Sequence, residues 1–124
     1  MTRMIHIRTD QLTAIAESND SATAQALWAA LPIRARGNRW GEEIYFRVPA
    51  DQGEADDARA DLAVGEPGYW PPGQAFCIFF GRTPASTSDQ PRAASPVNPI
   101  GRIVGDATLF RAVPDGAEVI LEQA

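Results

Sequence analysis

Lysine is missing altogether. The positive side chains of this 124-residue chain number eleven and all are arginine, against sixteen acidic ones, for a formal net charge of −5. No segment concentrates the arginines, so the basic footprint that a phosphate backbone requires is absent and nucleic acid is not an expected partner. Cysteine occurs once, as Cys77 inside an apolar run. An internal disulfide is therefore excluded, and the lone thiol suits a reducing compartment. Histidine also occurs once, as His6. A metal site would have to be built on carboxylates, and neither a metal nor a cofactor is expected. No apolar run approaches the roughly 18 residues that span a bilayer, and the opening MTRMIHIRTD lacks the long apolar core of a secretion signal. The expectation is a soluble cytoplasmic protein with no membrane partner.

What is present is enough for one core. Hydrophobic residues make up 44% of the chain, which fits a single domain over residues 1–124. Asn19-Asp20-Ser21 offers capping side chains, Ala24, Leu27, Trp28 and Leu31 recur at helical spacing, and Pro32 stops the run. This predicts a helix over about Ser21–Leu31. Most of the rest reads as short strands. Met4–Arg8 and Gln11–Glu17 form an opening hairpin about Thr9-Asp10, and Ile33–Arg36 precedes a turn at Gly37-Asn38. Glu43–Val48 alternates, with Ile44, Phe46 and Val48 on one face and Glu43, Tyr45 and Arg47 on the other. An acidic, turn-rich excursion follows, with a short strand near Ala60–Val64. Tyr69-Trp70 and Ala75–Phe80 pair across Pro71-Pro72-Gly73, where Gly73 is expected to supply the unusual backbone angle. GRTPASTSDQPRAASP reads as a long loop, and Val97–Val104 as a strand that Pro99 interrupts. A short helix at 105–110 and a last strand, Glu118–Glu122, complete the order. Many short strands with two helices suggest a closed or nearly closed barrel, with Leu27, Trp28, Leu31, Ile44, Phe46, Ile103 and Leu121 inside.

Three stretches, WGEEIYF at 40–46, GYWPPGQAFCIFFGRTPAS at 68–86 and SPVNPIGRIVGD at 95–106, resemble the small prokaryotic cyclophilin-like domains of unknown function. The resemblance runs from about Met4 to Glu122. Through that family the chain is similar, more distantly, to the cyclophilin peptidyl-prolyl isomerases. It implies a mainly β fold: a closed, antiparallel, eight-stranded barrel capped by two helices. It also implies a groove on the outer face, where cyclophilins use an arginine to stabilise the twisted prolyl amide. The Phe-His-Arg signature of those enzymes is absent here, and Ile78 precedes Phe79-Phe80 where they carry glutamine. A prolyl isomerisation assay is therefore expected to show feeble turnover at most.

The ligand-binding candidates are Arg36, Arg39, Glu43, Tyr45, Tyr69 and Phe80, and no catalytic residue is assigned. Glu42 and Glu43 point to opposite faces and cannot act together on one atom. Glu43 shares its face with Tyr45, and an arginine from the preceding strand could reach it. The plain alternative is a surface ion pair; the sharper one is an Arg–Glu–Tyr cluster that recognises an amide or carboxylate. Phe79 and Phe80 must face opposite ways, and comparison with cyclophilins puts Phe79 in the barrel and Phe80 on the groove. Trp70 reads as the closure of a barrel end, Trp28 as core and Cys77 as an inert thiol. Two functions follow: a peptide- or prolyl-binding module, or a binder or enzyme for a small amide or carboxylate metabolite.

Overall fold

In the computed structural model, which describes residues 2–124, the chain forms eleven short strands, one α-helix and two 3-10 segments. The strands are β1 (Arg3–Arg8), β2 (Thr13–Ser18), β3 (Ile33–Arg36), β4 (Asn38–Arg39), β5 (Glu43–Arg47) and β6 (Arg59–Asp61), then β7 (Pro67–Trp70), β8 (Ala75–Phe79), β9 (Arg92–Pro99), β10 (Gly101–Val104) and β11 (Glu118–Gln123). They pair into two antiparallel sheets. One has the order β10-β2-β1-β11-β3, the other β4-β5-β8-β7-β9-β6. The fold is mainly β, as expected, but the barrel is not closed.

The reason lies at the two seams. At one, the chain passes from β3 to β4 through Gly37, whose N–H donates to the Ala117 carbonyl while its own carbonyl accepts from Gly116. The expected turn at Gly37-Asn38 is thus a crossing between sheets, and the strand resumes at Asn38. At the other seam, Ile103 of β10 donates to the Gly65 carbonyl at 2.7 Å, and Gly65 donates to Phe79. Gly65 lies in the irregular segment between β6 and β7 rather than in a strand, so one or two hydrogen bonds bridge each seam where a ladder would close it.

The helix α1 spans Ala22–Ala30. Ser21 caps it by accepting the Ala24 N–H, and Leu31 ends it in extended geometry before Pro32. Ala24 and Leu27 enter the main core, while Trp28 and Leu31 pack against it only half-buried. Their expected full burial is not met. A 3-10 helix, Ala107–Ala112, is capped by Asp106 and sends Ala107 and Phe110 into the same core. That core holds Ile7, Ile44, Phe46, Phe76, Ile78, Phe80, Ile103 and Leu121 between the two sheets.

A second, smaller cluster lies on the outer face of the six-stranded sheet. It contains Leu62, Ala75, Cys77, Phe79, Ala93 and Val97, with Tyr45 and Trp70 packed against it. Strand β8 is therefore covered on both sides, and all five of its residues are buried. This satellite cluster is the floor on which the site is built.

Candidate functional site

The hairpin β7–β8 pairs across Pro71-Pro72-Gly73 as expected, with Pro67 opposite Ile78 and Trp70 opposite Ala75. Its turn is a 3-10 segment over Pro71–Gly73, and the residue with a left-handed backbone is Gln74, at φ 50°. Gly73 has another role: a Cβ there would lie 2.6 Å from the Trp70 ring. The glycine lets the indole lie flat on the turn. The Trp70 Nε1–H then donates to Ser95 Oγ on β9 at 2.7 Å, and the ring is fixed from both ends.

Trp40 is placed by the β4–β5 turn. Gly41 adopts φ +61°, which glycine tolerates without strain, and packs against the backbone of Arg82 and Thr83. Trp40 donates to the Glu43 carbonyl at 3.0 Å and Glu42 to the Arg82 carbonyl at 2.8 Å. Across β5, Glu43 stands opposite Phe79 and Tyr45 opposite Cys77, so the four share one face. The third wall comes from β9, whose strand begins at Arg92, inside the stretch expected to be loop. Together Trp40, Glu43, Tyr45 and Trp70, with Ala93, Ala94 and Val97, line a half-open cavity of about 210 Å³.

Glu43 is 6% exposed at the floor of this cavity. Burial pushes its carboxyl from 4.5 up to about 7, and the neighbouring Cys77 thiol offsets this only in part. The same burial, with Glu43 adjacent, holds the Cys77 thiol well above its ordinary range, so it stays protonated and is no nucleophile. Among the described residues, no ion pair includes Glu43. The cavity thus presents three aromatic side chains, small apolar groups and one carboxyl that titrates near neutrality.

Of the six candidates, the cavity brings together Glu43 and Tyr45. Arg36 donates to the Gly116 carbonyl, and Arg39 donates to the carbonyls of Gly41 and Val113 with its guanidinium 5.1 Å from the Phe80 ring centre. Both arginines serve backbone carbonyls elsewhere, and the Arg–Glu–Tyr cluster is not assembled. Tyr69 is buried in the main core, its hydroxyl donating to Ala50 and accepting from Gln52.

Phe80 is the clear correction. It lies in the main core 6.1 Å from Phe110, and Phe79 takes the outer face beneath Glu43. The alternation was right and its direction inverted, because Ile44, Phe46, Phe76, Ile78 and Phe80 fill the space between the sheets. Trp40 and Trp70 were missed as site residues. Trp40 lies three residues before Glu43 and Trp70 beside the Pro-Pro-Gly turn, and the two converge only because β9 packs alongside β7. Glu42 points away, as expected, and holds Arg111 at 3.0 Å. No group of acidic, histidine or cysteine side chains able to hold a metal is found among the described residues.

This architecture has known counterparts. The Cyclophilin-like family model matches residues 3–122. The chain belongs to the cyclophilin-like family. It is similar to a hypothetical protein of Archaeoglobus fulgidus, known from a solution structure, with 36% identity and a TM-score of 0.85 over 99% of this chain and 95% of that one. No curated protein matches. No helix among the described residues is long and apolar enough to cross a membrane.

Proposed function

We propose that this cyclophilin-like domain is a peptide-binding module, and that the cavity over β5, β8, β7 and β9 receives one compact group from an extended peptide. The observation that carries this reading is the convergence of Trp40, Tyr45 and Trp70 around the buried Glu43 carboxyl. Rigid aromatic walls with one placed polar group are what a binding cavity needs for affinity and orientation. The family resemblance points to a prolyl ring as one occupant, and aromatic-lined grooves accept such rings. Isomerisation is a different matter. It requires a donor aimed at the prolyl nitrogen, and among the described residues no arginine lines the cavity. The metabolite alternative relied on an arginine beside Glu43 and loses its support for the same reason.

The test couples two assays on the full chain. A prolyl isomerisation assay on short Xaa-Pro peptides should show little or no acceleration. Titration with the same peptides should move the indole N–H signals of Trp40 and Trp70 while leaving the core-facing Trp28 unmoved. Turnover comparable to an efficient cyclophilin would contradict the reading, and so would peptide binding that perturbs Trp28 alone.

A further inference from the structure

A buried carboxyl without a cation is costly, and folds that keep one usually have a use for it. Among the described residues, Glu43 is the one charged residue that lines the cavity, and the nearby arginines contact other groups. Arg111 holds Glu42, Arg92 faces Asp61, Arg47 bonds Gln74, and Arg39 bonds backbone carbonyls. The described cation–π contacts fall on Trp28 and Phe80, not on the cavity's rings. Three electron-rich side chains and an uncompensated carboxyl therefore border one small, half-open space.

We propose that the cavity is a cage for an alkylated ammonium group at the end of a peptide side chain, with Trp40, Tyr45 and Trp70 supplying ring faces and Glu43 the counter-charge. The inference rests on the peptide-binding reading and names the class of group that the cavity selects. Ring quadrupoles attract a cation over their faces, and the attraction grows when water is excluded. An unmodified ammonium would bring three donors to a space whose sole charged acceptor is Glu43, and would lose hydration. Methyl groups remove those donors and meet Ala93, Ala94 and Val97 instead.

The proposal carries a direction in pH. Toward Glu43, β5 presents Tyr45, β8 presents Cys77, β9 presents Ala93, Ala94 and Val97, and the β4–β5 turn presents Trp40. The thiol stays protonated, which leaves Glu43 to titrate near neutrality. A cation favours the ionised carboxyl, so its affinity rises as pH increases through about 7. A neutral occupant has no such gain.

The experiment follows the Trp40 and Trp70 indole N–H signals of the full chain. The probes are acetylated, amidated Gly-Gly-X-Gly-Gly peptides, where X is trimethyllysine, its neutral tert-butyl isostere or proline, with tetramethylammonium chloride as a further arm. At pH 8 the trimethyllysine peptide is expected to bind about tenfold more tightly than the neutral isostere. That preference should vanish in Glu43→Gln and shrink below about pH 6. Trp40→Leu, which keeps an apolar wall, should also lose the preference and guards against a folding defect in the first variant. Equal binding of the neutral isostere or the proline peptide at pH 8 overturns the cage but leaves the peptide reading standing. If no peptide moves either indole signal, both fall. If tetramethylammonium binds and no peptide does, a peptide side chain is not the source of the cation and the peptide reading fails with it.

Discussion

Phe79 and Phe80 are adjacent, both 0% exposed, and belong to different cores. Phe80→Ala opens a void between the sheets beside Phe110 and should cost about 3–5 kcal/mol in denaturant unfolding. Phe79→Ala should destabilise too, but it removes the floor opposite Glu43 and admits water there. The carboxyl should then titrate closer to its ordinary value, a change that Phe80→Ala should not produce. If Phe80→Ala moves the Glu43 titration and Phe79→Ala does not, the two faces have been assigned wrongly. Glu43 itself links stability to pH. Its folded-state value lies above that of the unfolded chain, so the unfolded chain releases this proton first as pH rises. Stability from this site is full below about pH 4.5, falls up to about pH 7 and then levels off, a loss of roughly 3 kcal/mol at about 1.4 kcal/mol per pH unit. Thermal unfolding across that window should show the decline, and Glu43→Gln should flatten it. An unchanged slope in the variant would assign the decline to other groups.

At the scale of elements, alternation was legible and orientation was not. Glu43–Val48 could be divided into two faces from period-2 patterning alone, and the pairing of β7 with β8 followed from the turn between them. Which face of β8 looks inward could not be read, because AFCIF is apolar on both faces and buried on both. The β9 wall was hidden for a similar reason. Pro, Ser and Ala residues read as loop, yet Arg92–Pro99 forms a strand, with Ser95 holding Trp70. The turn that carries Trp40 depends on Gly41 at φ +61°, with the Arg82 carbonyl 2.9 Å from where a Cβ would stand. Gly41→Ala should cost more than about 1 kcal/mol through backbone strain and the clash. It should also displace Trp40 and weaken ligand binding. Wild-type binding with the indole signal of Trp40 unshifted would show that this turn does not set the cavity.

For the whole molecule, the sequence conveyed a mainly β domain with a capped helix and the family to which it belongs, but not the open seams. Closure depends on whether edge strands meet over several residues, and the irregular segment around Gly65 leaves one bridging bond from Ile103. Amide exchange should reflect this. The Ile103 N–H should exchange faster than the β1–β2 ladder, which runs continuously from Arg3 opposite Ser18 to Arg8 opposite Thr13. Equal protection would mean that the seam behaves as a ladder. The central claim concerns the other face, where aromatic walls enclose a carboxyl that pairs with no cation among the described residues. The most direct measurement is a carbon-13 NMR titration of the Glu43 side-chain carboxyl in the unliganded protein. The account predicts a midpoint near 7. A midpoint near the ordinary 4.5 would show Glu43 solvated or paired, and would contradict the cavity as described.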